Sequence, residues 1–213
     1  MSPENEPITQ ILLIRHGQTE SNIAGRIQGQ SDSKLTERGR FQIEAAAKRL
    51  KQYSTFGSLS LLTSPLGRAV QSANIIGNAI GQQPKVLEDL REISFGKIEG
   101  KTWSEVEESQ KELSRSWFRH DADVCFEGGE TREAAVERVL TALQNLPHLG
   151  PDHKYVVVTH GGVLAALFAK VLQIPFGVRP QCMIPNAAFY SLSSKLGSFR
   201  IASWADSAHL ELL

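Results

Sequence analysis

Cysteine is scarce: Cys125 and Cys182 are the only two among 213 residues. Two distant thiols supply neither a disulfide framework nor a zinc-binding pattern, and they read as small buried apolar residues. An excess of either charge is also missing, because Lys plus Arg and Asp plus Glu both number 23. That balance excludes a whole-surface attraction to nucleic acid or to an anionic membrane, so anion binding is left to a few converging cations. No long uncharged apolar run occurs. The stretch "GGVLAALFAKVLQIPF" is interrupted by Lys170 and is too short to span a bilayer. The start, "MSPENEPITQ", lacks the basic head and apolar centre of a signal peptide, so a cytoplasmic location is expected. There is no internal repeat, low-complexity tract or linker.

What is present is an ordinary globular composition, 41% hydrophobic and 22% charged. A chain of this length buries a sizeable core without disulfides and forms one domain, with room for an insertion. Ile8 to Ile14 is a near-continuous aliphatic run, as expected of a strand buried on both faces. "LTERGRFQIEAAAKRLKQY" then reads as a helix capped by Thr36. "LSLLTSPLGRAVQSANIIGNAIG" repeats the pattern: a strand from Leu59 to Thr63, Ser64 as N-cap, Pro65 at the first helical position, and Gly81 as the stop. "TWSE" is a capping box from Thr102 to Glu105, opening a charged helix to about Arg119. "FEGGETREAAVERVLTALQNL" is a turn and an amphipathic helix, and "KYVVVTHGGVLAALFAKVL" is a strand, a glycine turn and a helix. "AAFYSLSS" and "FRIASW" alternate as a hairpin pair. The expected fold is α/β, a three-layer α/β/α sandwich with a mostly parallel central sheet. Residues 1–213 form a single domain, with 92–130 as a small helical cap inserted in it.

In open α/β sheets, ligands bind beyond the carboxyl ends of the strands. Three such ends carry unusual residues: Arg15-His16-Gly17, the run from Ser64 to Arg68, and His160-Gly161-Gly162. The segment around Glu92 is a fourth. If they are neighbours, two imidazoles, two guanidiniums and a carboxylate share one pocket. That set is poor in metal ligands and rich in phosphate ligands, since a guanidinium fork matches phosphate oxygens.

The segments "LIRHGQTESN", "LTERG", "TSPLGRAVQSA", "LREISFGKIEG" and "VVVTHGGVLAAL" together resemble the histidine phosphatase superfamily, the phosphoglycerate-mutase-like proteins. They follow the family's order from about residue 11 to 170. The resemblance implies that His16 is a nucleophile forming a phosphohistidine, which needs a neutral ring with one nitrogen held by a backbone carbonyl. It implies that Arg15 and Arg68 clamp the phosphoryl oxygens, that His160 donates to the phosphate, and that Glu92 is the general acid. Gly17, Asn22, Gln28 and Gly161 would line the phosphate site, Gly17 by letting the main chain approach the ring or phosphate, and Asn22 either as a ligand or as a loop brace. No metal or other cofactor is implied.

"ISFGKIEG" after Glu92 and Gly162 after the second His-Gly depart from the mutases and resemble the compact phosphatase branch. A metal-independent phosphomonoesterase acting on small phosphorylated metabolites is therefore expected, with a homodimer left open. The alternatives are a phosphoglycerate-type mutase, a dedicated α-ribazole-phosphate or sugar-bisphosphate phosphatase, and a catalytically silent member that binds phosphorylated ligands or partners. A metallohydrolase using His16, His160 and Glu92 is a remote further reading. Lys97, Lys101, Arg115, Arg119 and His120 lie in or near the cap, where a solvated helix face is the simpler reading. Trp103 and Trp117 read as anchors of the cap to the core.

Overall fold

The computed structural model of the chain describes residues 8–53, 58–150 and 152–211. Its elements are, in order, β1 (Thr9–Arg15), α1 (Glu20–Ile23), α2 (Glu37–Tyr53), β2 (Leu59–Thr63), α3 (Gly67–Ile80) and β3 (Lys85–Val86). Then come α4 (Trp103–Ser109), α5 (Lys111–Arg119), α6 (Arg132–Gln144), β4 (Lys154–Thr159), α7 (Gly161–Val171), β5 (Phe189–Lys195) and β6 (Ser198–Asp206).

The strands form one six-stranded sheet in the order β3-β2-β4-β1-β5-β6. β3, β2, β4 and β1 run parallel, while β5 and β6 are antiparallel additions at one side. The two-residue loop between them, Leu196-Gly197, has φ of 51° and 75°, the paired left-handed geometry of a tight hairpin turn.

Alternate residues of the central strands feed two cores. Ile11, Leu13, Tyr155 and Val157 join residues of α6 and α7, whereas Ile14, Val156 and Val158 meet Ile43, Ala46, Leu50, Ala69, Ala73 and Ile76 of α2 and α3. That is the period of two expected of strands covered on both sides. The first core also takes in Phe95, Ile98, Val106, Trp117, Val124 and Phe126, so the segment after Glu92 shares the apolar interior of the sheet. Trp103 and Trp117 stack there, with ring centroids 6.3 Å apart.

Four local expectations change. The helix after β2 begins at Gly67 with Leu66 as N-cap, and the Ser64 hydroxyl pairs with His160 and accepts from the Leu66 amide at 3.3 Å. The charged helix after Thr102 breaks at Gln110 (φ −143°, ψ 52°) into α4 and α5. Gly161 and Gly162 make no turn; they are the first residues of α7, with His160 as N-cap. The thiols are not buried: Cys125 is exposed and Cys182 intermediate, Cys125 facing outward between the inward-facing Val124 and Phe126.

The loop after β1 is pressed onto the start of α2. A Cβ on Gly39 would lie 2.0 Å from the Gln18 carbonyl oxygen, and one on Gly17 2.4 Å from that of Gly39. Two main chains meet there with no room for a methyl group. Gly39→Ala is therefore expected to destabilise the fold by about 1–3 kcal/mol, read as a lowered midpoint in urea denaturation; an unchanged midpoint would contradict the packing described.

Candidate active site

Backbone bonds align the carboxyl ends of the parallel strands. The His16 amide donates to the Thr159 carbonyl at 3.0 Å, that of Ser64 to Val158 at 3.0 Å, and that of Leu87 to Thr63 at 2.9 Å. Since β4 lies between β1 and β2, His160 emerges between His16 and Ser64. The two imidazoles stand 5.2 Å apart, centroid to centroid.

His16 is 2% exposed, and its Nδ1 lies 2.8 Å from the Gly17 carbonyl oxygen. A carbonyl can only accept, so Nδ1 carries the proton and Nε2 carries the lone pair. Arg68 confirms that tautomer by donating from Nε to His16 Nε2 at 3.2 Å. Burial, then the charges of Arg15 and Arg68, hold His16 well below the usual imidazole range and keep it neutral. His160 is fully buried and held neutral by burial first and by Arg68 next. Its Nε2 pairs with the Ser64 hydroxyl at 2.7 Å, and its Nδ1 is buried without a partner.

The arginines approach from opposite sides of the sheet, Arg15 at the end of β1 facing α7 and Arg68 from α3. Arg68, in the first turn of α3, is fully buried and donates from Nη1 to the Ser31 carbonyl and from Nη2 to that of Gly29, both at 2.7 Å. The Glu99 carboxylate fixes that loop by accepting from the amides of Gln30 and Ser31. Arg15 lies over the start of α7: a Cβ on Gly161 would be 3.0 Å from its Nε and 3.1 Å from its Cζ. Its Nη1 donates to the Ile184 carbonyl, and its Nε is buried without a partner. Two buried polar atoms, Arg15 Nε and His160 Nδ1, therefore have no hydrogen-bond partner among the described residues, which a buried site does not normally tolerate.

Glu92 caps α7 from outside. Its Oε1 accepts from the amides of Ile93 and Val163, and its Oε2 from that of Gly162, each at 2.9 Å. A Cβ on Gly162 would lie 2.7 Å from Oε1, so a side chain there would push the carboxylate from this position. With up to two acceptor sites on each oxygen, Oε1 is saturated and Oε2 keeps one open site. The charge of Glu92 is felt by both Arg15 and Arg68. His16, His160, Arg15, Arg68 and Glu92 thus converge.

The other expected residues make the following contacts. Gly17 is small for the sake of α2, and its amide donates to Ser72 Oγ at 3.1 Å. Asn22 closes a capping box, its Oδ1 accepting from the Thr19 amide at 3.1 Å and from Asn186 Nδ2 at 3.3 Å. Gln28 accepts the Thr19 hydroxyl at 3.0 Å. Gly161 makes room for the Arg15 guanidinium. Among the cap cations, Lys97 pairs with Glu127, Arg115 with Glu112 and Arg119 with Asp121.

Several residues were not anticipated. Asn186 Nδ2 donates to the His16 carbonyl at 2.9 Å. Arg138 of α6 donates to the carbonyls of Asp89 (2.7 Å), Arg91 (2.9 Å) and Glu92 (3.0 Å) and pairs with Glu130 at 2.7 Å, holding the segment that presents Glu92. A lone arginine on an amphipathic helix gives no sequence signal of that work. Among the described residues, no group of three or more His, Cys, Asp or Glu side chains could hold a metal ion, and no helix is long and apolar enough to cross a membrane.

This constellation gathers two neutral imidazoles and two guanidiniums at the carboxyl edge of a parallel sheet, a donor set suited to a tetrahedral anion. Residues 11–207 match the histidine phosphatase superfamily (branch 1), and the chain belongs to it, among its phosphoglycerate-mutase-like phosphatases. It is 33% identical over 206 residues to the metal-independent phosphoserine phosphatase of Arabidopsis thaliana, covering 95% of this chain and 84% of that one. A probable phosphoglycerate mutase GpmB of Cronobacter sakazakii is 30% identical over 207 residues, with 95% of each chain covered. Among solved structures, mycobacterial glucosyl-3-phosphoglycerate phosphatase in complex with VO3 superposes with a TM-score of 0.81 at 31% identity, covering 93% of this chain and 99% of that one.

The two imidazoles make stability depend on pH. Both folded-state values lie below the unfolded-state value of about 6.5. The contribution is complete above that value and is lost as pH falls from it toward the folded-state values, because the unfolded chain then binds more protons. Denaturation midpoints should be level between about pH 7 and 8 and fall below about 6.5, by up to ~1.4 kcal/mol per pH unit for each imidazole. In the His16→Gln/His160→Gln double variant the acid slope should be shallower; an identical slope would mean that these rings do not resist protonation.

Proposed function

We propose that the chain hydrolyses small phosphomonoesters without a metal, through a phosphohistidine on His16. The observation that carries this reading is the His16 tautomer, with Nδ1 donating to the Gly17 carbonyl and the Nε2 lone pair directed at Arg68. Nε2 attacks phosphorus as the P–O ester bond breaks, and the alkoxide takes a proton from Glu92. Water then gives its proton back to Glu92 and attacks the same phosphorus; the P–N bond breaks and inorganic phosphate leaves. Oε2, the Glu92 oxygen with an open acceptor site, is the one assigned to both proton transfers. Arg15, Arg68 and His160 Nδ1–H donate to the phosphoryl oxygens, where charge is spread in a loose transition state.

The relatives support a small phosphorylated metabolite as substrate. The GpmB-like relative keeps phosphoglycerate-type transfer as a second reading, which predicts isomerised phosphoglycerate without matching phosphate release. The α-ribazole-phosphate alternative gains nothing from these relatives.

Phosphate release from a panel of phosphomonoesters should persist in excess chelator. Brief incubation and quenching should trap an acid-labile, base-stable phosphoryl group on His16. His16→Ala should lower turnover by about three orders of magnitude or more; chelator sensitivity, or full turnover without His16, would reject the mechanism. Arg138 and Glu130 are positioning residues in this scheme. Arg138→Met should lower kcat roughly tenfold to hundredfold through misplacement of Glu92, with KM little changed and Arg138→Lys intermediate. An equal loss in kcat/KM carried by KM alone would assign Arg138 to substrate binding instead.

A further inference from the structure

Three main-chain groups flank the His16 ring, and each has its own partner. The His16 amide donates to the Thr159 carbonyl at 3.0 Å, the Arg15 carbonyl accepts from the Ala187 amide at 2.9 Å, and the His16 carbonyl accepts from Asn186 Nδ2 at 2.9 Å. At the far end of the His16–Gly17 peptide, the Gly17 amide is held by Ser72 Oγ at 3.1 Å. That peptide is planar, so pinning both of its ends leaves few ways to aim the Gly17 carbonyl that follows. This is the carbonyl on which His16 Nδ1 rests.

Asn186 and Ala187 thus reach the nucleophile from the segment before β5, and their own conformation is strained. They are the central residues of a turn closed by the Ala188 amide on the Pro185 carbonyl at 3.4 Å. Ala187 has a φ of 59°, at the third position of a turn, where glycine or asparagine is the usual choice. Its methyl group is fully buried in the core under α2 and α3. A backbone of this kind persists only where its surroundings hold it.

What holds it is the turn after β6. His209, in the single helical turn Ala208–Leu210, has its Nε2 2.9 Å from the Ala187 carbonyl oxygen. A carbonyl can only accept, so Nε2 carries the proton, and the Nδ1 lone pair is met by Arg49 Nη1 of α2 at 3.2 Å. Burial first, and the charge of Arg49 beside it, hold His209 below the usual imidazole range, against the Ala187 carbonyl and Asp206. The Arg49 guanidinium also pairs through both Nη atoms with the Asp206 carboxylate, whose Oδ1 accepts from the Ala208 amide at 3.3 Å. Phe189 packs on this group, its ring centroid 4.6 Å from that of His209 and 5.2 Å from Arg49 Cζ. Fastening the turn to α2 needs no more than the Arg49–Asp206 pair. The His209 bond reaches past it, to the carbonyl of the strained residue.

We infer that His209 is a positioning residue for the nucleophile: by holding the left-handed turn at Ala187, it keeps Ala187 and Asn186 on the carbonyls of Arg15 and His16. This rests on the role of His16 proposed above, and adds what aims its ring. The links from Arg49 to His209, from His209 to Ala187 and from Ala187 to Arg15 measure 3.2, 2.9 and 2.9 Å.

The test uses the full-length protein. His209→Phe keeps an aromatic ring against Phe189 and removes both hydrogen bonds, whereas His209→Gln keeps a donor and an acceptor. One readout is the His16 tautomer, from long-range proton–nitrogen correlation spectra of histidine-labelled protein, where the unsubstituted chain should show Nδ1–H alone. The other is the rate of phosphoryl transfer to His16 in a single turnover of p-nitrophenyl phosphate, per folded molecule. His209→Phe should slow that transfer about tenfold, with KM changed by less than about twofold. Its His16 tautomer should become mixed, and His209→Gln should recover most of both losses. Asn186→Ala should behave like His209→Phe, and it stands if the latter fails to fold, with circular dichroism as the check. In the double variant the losses should not multiply, because both residues act through one turn. A lowered urea midpoint with rate and tautomer unchanged, or losses that multiply, would overturn the assignment. A tautomer disturbed in both variants of a chain that never forms phosphohistidine rejects the phosphatase mechanism alone. Phosphoryl transfer at one rate in every variant rejects the positioning role alone.

Discussion

Strand β4 runs between β1 and β2, paired in parallel to both, and the placement of His160 follows from that one position. Parallel strands end on the same edge, so residues following β1, β2 and β4 are delivered side by side though remote along the chain. Ser64, His160 and His16 are laid out in that order across the edge, with the Ser64 hydroxyl on one ring and the His16 imidazole beside it. A one-residue slip of β1 against β4 would exchange the faces toward which Arg15 and His16 project. The two residues need opposite faces: Arg15 meets α7, and His16 meets Arg68 from α3. The two aliphatic cores that fix the register therefore fix the site as well.

Glycine sets the distances on that edge. At Gly17 and Gly39 two main chains meet; at Gly161 and Gly162 a guanidinium and a carboxylate occupy the volume a side chain would take. Neither Gly161 nor Gly162 has a left-handed backbone. Their function is space, and the helix they begin gives up some intrinsic propensity to provide it. In return, the first amides of α7 point at Glu92, so the capping carboxylate of the helix and the acid assigned to the chemistry are the same group.

Legibility in the sequence followed the periodicity of the chemistry. The buried strands announce themselves as aliphatic runs, and the residues that end them stand out because an arginine, a histidine or a Ser-Pro interrupts such a run. Arg15, His16 and His160 were readable for that reason, whereas Arg68 and Glu92 stood out only through the resemblance to the family. Ser64 was misread because a serine before a proline is a good N-cap, and local pattern cannot report that a histidine ninety-six positions away claims the same hydroxyl. Gly161-Gly162 looked like a turn because two glycines usually favour one, whereas here their smallness matters. Asn186 and Arg138 were invisible: each acts on backbone carbonyls, His16 for one and Asp89 to Glu92 for the other, and a carbonyl has no signature in the amino-acid alphabet.

The supporting shell has its own logic. Arg68 spends two of its nitrogens on the carbonyls of Gly29 and Ser31, and Glu99 holds that loop by its amides. Arg138 holds the carbonyls beside Glu92 and is itself held by Glu130. In both cases a charged side chain is anchored to main chain, and main chain is anchored by a charge of opposite sign. Backbone carbonyls and amides move less than side chains, so the reacting groups inherit the rigidity of the loops that carry them. A site built to stabilise charge needs dipoles already oriented before that charge appears. Ion pairs between two flexible side chains would have to be ordered at the moment of reaction. Arg68 reaches His16 with Nε while one N–H of each Nη nitrogen is fixed to the loop and the other is left over, and the direction of the His16 lone pair is thereby set by the backbone of residues 29–31 as much as by the histidine itself.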